Sequence, residues 1–186
     1  MKPDRPLPLI YGRGSQGLVV LDAMRAANPD VEVRWLDQST GHYPDRRDYF
    51  IAAIGDNRAR QRLRGQMTVI HPTATISPSA EIGRGSFIAA RAFIGPKAKV
   101  GRGAIINTGA IIEHECAVGD YAHVASGAVL SGRAQVGDGA LVGAGAVIRL
   151  GQRVGAWATV GCGAVVVKDV PAGEKWAGNP ARKMGE

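Results

Sequence analysis

Cysteine, aromatic side chains and long apolar runs are all scarce in this sequence, and each scarcity excludes a class of protein. Two cysteines, Cys116 and Cys162, allow at most one bridge, so the chain is no disulfide scaffold. Phe, Trp and Tyr make up only 5% of the residues, and no segment interleaves them with Lys or Arg as a base-stacking nucleic-acid surface would. No apolar run approaches the roughly eighteen residues of a membrane span. The opening MKPDRPLPLI is broken by charge and proline, unlike a signal peptide. A soluble cytoplasmic protein is the expectation, with no membrane span and no nucleic acid as partner.

Charge is not scarce, but it is spread evenly. The net charge is +7, with 23 basic and 16 acidic side chains, and neither half of the chain is a basic tail. Such an excess suits small polyanionic ligands, coenzymes with several phosphates among them. With 45% hydrophobic and 21% charged residues the chain can bury a core. Glycine is plentiful, at 26 of 186 residues, which suits small repeated turns better than a helical bundle.

The repeat points to the fold. Starting at Ile70, every sixth residue is aliphatic: Ile70, Ile76, Ile82, Ile88, Ile94, Val100, Ile106, Ile112, Val118, Val124, Leu130, Val136, Val142, Ile148, Val154, Val160 and Val166. Two residues before each stands Ala, Ser, Thr or Cys, with Gln152 the one exception. A sustained fixed period marks a solenoid. Six fits neither an α-helix nor an ordinary strand. It fits short strands joined by tight turns, three to a coil, with coils stacked at ~4.8 Å. Two glycine columns accompany it, Gly83, Gly101, Gly119, Gly137, Gly155 and Gly109, Gly127, Gly145, Gly163. Both read as turn positions that need positive φ.

Residues 1–67 are of another kind. PLPLIY, VEVRWLD and YFIAAIGD read as strands, and LVVLDAMRAANP and NRARQRLRGQM as helices. The order is that of a small α/β unit with a parallel sheet. Between the first strand and helix lies the loop Gly12-Arg13-Gly14-Ser15-Gln16-Gly17, and Asp37 follows twenty residues later. In that layout amides at a helix N-terminus meet phosphate and a carboxylate meets a ribose or base. The unit is too short for a dinucleotide fold, so a nucleoside diphosphate group is the expected ligand. Gly55, Asp56 and Asn57, at a strand end, are expected to line the same crevice.

One stretch of the repeat carries chemistry: Asn107-Thr108-Gly109-Ala110-Ile111-Ile112-Glu113-His114-Glu115-Cys116. His114 falls two places after an inward aliphatic, at a corner, and should project outward. Pro96 and Gly132, its neighbours one coil away, leave it open. An imidazole beside a carboxylate is the usual arrangement for a general base. His123 lies on a different face, so the two histidines can share a site only between subunits. Cys116 occupies a small inward position and is expected to be buried.

On these residues the chain resembles the bacterial nucleotide-sugar N-acetyltransferases of the hexapeptide-repeat family, of the bacillosamine and perosamine type, related to the sialic acid O-acetyltransferases. The segment NTGAIIEHECAVGDYAHVASGAVLSG and the closing VVVKDVPAGEKWAGNPARKM are similar to that family's. The resemblance implies a left-handed parallel β-helix over residues 68–186 behind an α/β nucleotide-sugar-binding domain over residues 1–67. It implies a homotrimer with active sites between subunits and acetyl-CoA as cosubstrate, without a metal. It makes His114 the base, with Glu115 or Glu113 to orient it, and adds Asn107 and His123 to the active site. The resemblance assigns nucleotide binding to Gly12, Gly14, Gln16, Gly17, Asp37, Gly55, Asp56 and Asn57. Gly132, Gly143, Gly161, Lys168 and Arg182 are the positions expected beside the coenzyme. The implied reaction is N-acetylation of a UDP-linked 4-amino-4,6-dideoxy sugar, with a GDP- or dTDP-amino sugar, or O-acetylation of a sialic acid or other free sugar, as alternatives. Gln16 departs from the histidine that the family often has there, and the loop at 38–47 is a second place where specificity can differ.

Two other readings of a β-helix fail on the residues. A zinc carbonic anhydrase needs three converging histidines, but His71, His114 and His123 lie too far apart for a tight pair. An ice-binding solenoid needs regular Thr rows, which are absent.

Overall fold

The computed structural model describes residues 7–37, 42–44 and 48–185. The α/β unit consists of β1 (Leu9–Tyr11), α1 (Ser15–Ala27), β2 (Arg34–Leu36), β3 (Phe50–Ala52) and α2 (Asn57–Leu63). Its three strands are parallel in the order β2-β1-β3, so each expected strand and helix is present, though the strands are shorter than their apolar runs and α1 opens earlier than expected, at Ser15 inside the glycine loop. Central β1 is buried along its whole length, as a strand covered on both sides must be. The last glycine of the loop serves packing: a Cβ on Gly17 would collide with the Gly12 carbonyl, so any larger residue would push α1 off the end of β1.

From residue 69 onward the chain is a left-handed parallel β-helix. All seventeen aliphatics of the six-residue series end a two-residue strand, from Val69–Ile70 to Val165–Val166. Successive coils pair eighteen residues apart, as in Ile106 with Val124 and Ile112 with Leu130. Counting from residue 69, the strands fall in turn on a first, second and third face. Each inward aliphatic packs with the residue two places before it, and from Ile88 on both are buried except at Gln152, which is half-buried. Cys116 takes an alanine position, 1% exposed, and burial pushes its thiol up to about 11. Ile70 stays 41% exposed, because no coil lies beneath the first.

The two glycine columns have different causes. Gly109, Gly127, Gly145 and Gly163 turn the chain with φ of 65° to 67°, as expected. The other column does not have positive φ, which corrects that reading. At Gly83, Gly101, Gly119, Gly137 and Gly155 a Cβ would come within 2.4–2.6 Å of the coil above. Here glycine is demanded by the closeness of stacked coils.

The first face anchors the α/β unit. Its outward residues Val69, Phe87 and Ile105 are buried against Ile10, Val20, Ala23, Ile51 and Met67. Arg60 of α2 completes the junction at 2% exposure. It donates to the carbonyls of Ile54 (2.8 Å), Gly55 (2.9 Å), Gly103 (3.1 Å) and Tyr121 (2.7 Å), and to Asn57 Oδ1 (2.8 Å). Burial lowers its pKa to about 10, which leaves it charged at neutral pH.

Candidate active site

His114 stands at the corner between the second and third faces. Its Nδ1 lies 3.1 Å from Glu115 Oε2, which fixes the proton on Nδ1 and leaves Nε2 as an acceptor. The ring is open to solvent, with 45% of the side chain exposed. Nε2 faces Gly132 one coil above, where a Cβ would lie only 2.5 Å from it. The Gly132 N–H donates to no described residue. Glu115, not Glu113, is the carboxylate on the imidazole, which narrows the expected pair to one. Glu115 holds φ of 59°, but Lys97 and Arg133 at the equivalent corners do the same, so the repeat itself demands that backbone.

A second group of residues gathers on the first face. A cleft of ≈ 510 Å³ is lined by the glycine loop from Gly12 to Gln16, with Asp37, Ala53, Ile54, Gly55 and His123. Gly12, Gly14 and Gln16 therefore meet Asp37 where the sequence places them, whereas Gly17 is not among the residues that line the cleft and packs against Gly12 and Trp35. Helix α1 opens on Gly14 with no side-chain cap and no acidic residue in its first turn, so its N-terminal amides face the cleft uncompensated. Gln16 Nε2 is buried there without a hydrogen-bond partner among the described residues, a donor waiting for an acceptor.

His123 joins the two parts of the molecule. Asn107 Oδ1 accepts from the Thr108 N–H at 2.8 Å, so its amide nitrogen is the end that points 3.2 Å to His123 Nε2. That makes Nε2 the acceptor of a neutral ring with its proton on Nδ1. Burial first, and the nearby Arg60 charge second, lower the His123 pKa to about 4, against a hydrogen bond to the Gly55 backbone. His123 is thus a fixed neutral group at physiological pH and a poor base.

Two expectations for the cleft need correction. Asp56 caps α2, accepting from the Ala59 N–H at 2.6 Å, and Asn57 donates to the Gly139 carbonyl at 2.9 Å. Both side chains are committed to structure, and they line an adjoining pocket of ≈ 400 Å³ with Arg58 and Trp157. Arg58 itself stacks 4.5 Å over the Trp157 ring, a contact the sequence did not suggest.

The coenzyme positions divide between two corners. Gly132 lies with His114, whereas Gly143 and Gly161 lie at the corner between the first and second faces, above Asn107. Lys168 is exposed near the end of the β-helix, and Arg182 lies on the short antiparallel strand that follows it. Among the described residues no group of three or more His, Cys, Asp or Glu side chains is placed to hold a metal ion, and no helix is long and apolar enough to cross a membrane.

No family model and no curated protein matches the sequence. Solved structures do. The acetyltransferase domain of PglB from Neisseria gonorrhoeae is 32% identical, with 97% of this chain and 100% of that one aligned at a TM-score of 0.88. That domain has also been solved in complex with acetyl coenzyme A. PerB from Caulobacter crescentus, in complex with CoA and GDP-perosamine, is 31% identical over 97% of this chain and 98% of that one, at a TM-score of 0.88. WeeI from Acinetobacter baumannii is 27% identical over 96% and 99%, at a TM-score of 0.86.

Proposed function

The chain belongs to the bacterial nucleotide-sugar N-acetyltransferases of the hexapeptide-repeat family, and from that premise we propose that it transfers the acetyl group of acetyl-CoA to the amine of a nucleotide-linked amino sugar. The observation that carries the reading is the His114–Glu115 pair with Nε2 open toward Gly132. The sugar's amine attacks the thioester carbonyl, His114 Nε2 takes the amine proton, and Glu115 stabilises the imidazolium. The tetrahedral oxyanion takes a hydrogen bond from the Gly132 N–H; as it collapses the C–S bond breaks and the departing thiolate takes the proton back from His114, so CoA leaves as its thiol. Holding both substrates in line supplies much of the remaining rate.

The nucleotide end belongs in the glycine-loop cleft, with its diphosphate on the N-terminus of α1 and its nucleoside toward Asp37. Gln16 gives the ligand an uncharged donor where a histidine would titrate.

His114 and this cleft lie on opposite sides of one coil, which supports a site shared between subunits of a homotrimer. The uncovered second face supports this. Its outward residues Phe93, Ile111, Val129, Val147 and Val165 form a half-buried apolar ladder. The third face carries Glu81, Lys99, Ala117, Gln135 and Arg153, all exposed. Three copies packed by their second faces around an axis set the His114 corner of one beside the Asn107 corner of the next. Acetyl-CoA then runs between those corners, past Gly132 of one subunit and toward Gly143 and Gly161 of its neighbour, with Lys168 and Arg182 as candidates for its phosphates.

Calorimetric titration with UDP-, GDP- and dTDP-linked amino sugars, beside the matching free sugars, tests the substrate class. Saturable binding of one nucleotide-linked sugar is expected, with the free sugar silent. Binding of free sugars or sialic acid alone would overturn the reading in favour of O-acetylation. Gly132→Ala tests the site's geometry. Its methyl displaces the imidazole, so turnover should fall at least ~10-fold while the thermal midpoint stays within a few degrees. Full activity in that variant would remove Gly132 from the site.

A further inference from the structure

The edge between the third and first faces carries a short ladder of carboxylates that spans two coils. The second residue of that corner is Arg84, then Arg102, Asp120 and Asp138 in successive coils. In the upper coils the carboxylate of one corner accepts from the N–H of the corner beneath. Asp138 Oδ1 takes the Asp120 N–H at 2.8 Å, and Asp120 Oδ1 takes the Arg102 N–H at 2.9 Å. Those oxygens sit directly over Gly119 and Gly101, in reach of where a Cβ would stand. One coil lower, the position equivalent to those two carboxylates is occupied by Arg102. Its guanidinium turns up to Asp120 instead, with Nε 3.2 Å from Oδ2. No described residue accepts from the Arg84 N–H.

The surroundings of that N–H are cationic. A cavity of ≈ 630 Å³ is lined there by Arg64, Arg84 and Arg102, with Gln66, Asp120 and Tyr121. Arg64 comes from outside the repeat, delivered by the left-handed turn that ends α2 at φ of 53°. Three guanidiniums thus share a cavity with one carboxylate, and neither Arg64 nor Arg84 has an ion-pair partner among the described residues. The Asp138 N–H, with Ala156 as the next corner residue, likewise has no acceptor among the described residues, but there the corner side chain is a carboxylate and not an arginine.

We propose that this edge binds a small phosphate-bearing anion, whose phosphoryl group takes the place over Gly83 that the Asp120 and Asp138 carboxylates take over Gly101 and Gly119. A free N–H and forked guanidiniums match phosphoryl oxygens, and charge-assisted bonds of this kind are the strong ones. The cavity exceeds a bare phosphate and suits a phosphorylated small molecule. It shares no lining residue with the glycine-loop cleft, so this second site is separate from the one proposed for the substrate.

Inorganic pyrophosphate is the probe, titrated calorimetrically at low ionic strength into the full chain and two variants. In Arg64→Gln/Arg84→Gln two of the three guanidiniums are removed and every backbone contact stays. In Arg102→Asp the ladder is extended from within, which should fill the anion position with a carboxylate. One class of pyrophosphate site should weaken at least ~10-fold in the double variant and disappear in Arg102→Asp. Arg102→Asp should also melt higher than wild type when no pyrophosphate is present. Acetyl transfer should be unchanged in the double variant. No pyrophosphate binding, or binding unchanged in the double variant, would overturn the site, and that result stands even if Arg102→Asp folds poorly.

Discussion

His114→Ala should lower kcat for acetyl transfer by about 10²- to 10⁴-fold, the usual contribution of a positioned general base. The KM values should hold within about threefold, since an exposed ring whose task begins with proton transfer adds little to ground-state binding. Stability should hardly change, because the side chain is open to solvent and its one close partner is the equally exposed Glu115. Glu115→Gln keeps the shape and removes the charge that favours the imidazolium, so it should sit between the two, about tenfold down. Steady-state kinetics on the purified variants, with thermal melts beside them, checks all of this. A His114→Ala enzyme with wild-type kcat would leave the corner without its base.

Arg60→Met should have the largest effect on stability, about 3–5 kcal/mol. Arg60 is the buried bolt between the α/β unit and the β-helix, and removing it strands the carbonyls of Gly103 and Tyr121 on one side and Ile54 and Gly55 on the other. Urea unfolding followed by far-ultraviolet circular dichroism gives the number. Arg60→Lys, which keeps the charge but not the fork, should lose less. A second signature separates this bolt from ordinary packing. In the wild type His123 stays neutral down to about 4, whereas in the unfolded chain it takes up a proton near its ordinary 6.5. The unfolded state therefore binds more protons between those values, so stability is full above about 6.5 and declines as pH falls toward 4. Without the Arg60 charge the His123 pKa rises, and that decline should be shallower in Arg60→Met. A loss under 1 kcal/mol with an unchanged pH slope would contradict the assignment.

Much of this molecule can be read from residue order alone. The six-residue series predicts every strand from Val69–Ile70 to Val165–Val166, because a two-residue strand with one inward aliphatic leaves no other place for that side chain. His114 and Glu115 are legible for the opposite reason, as charged residues at a corner where the repeat needs nothing of the kind. Residue order is ambiguous where one residue type serves two ends. Asp56 before a helix looks the same whether it caps the helix or meets a nucleotide, and here it caps. Gly83 and its column look like turn glycines, but crowding between coils is what excludes a side chain. Arg60 gave no signal, since one arginine among several in NRARQRL is distinguished only by the fold that buries it. The docking face did leave a trace. The residues just before the inward aliphatics read Val69, Phe87 and Ile105 and then His123, and that break marks where cover ends and the cleft begins. The loop at 38–47 falls largely outside the described residues.

The central claim is acetyl transfer from acetyl-CoA to the amine of a nucleotide-linked sugar. Its most direct test is thiol release from acetyl-CoA against UDP-, GDP- and dTDP-linked amino sugars, with the free amino sugars and sialic acid in parallel. Turnover with one nucleotide-linked amino sugar, yielding its N-acetyl product, is the expected result. Turnover confined to free sugars or sialic acid, or none with any nucleotide-linked amine, would contradict it.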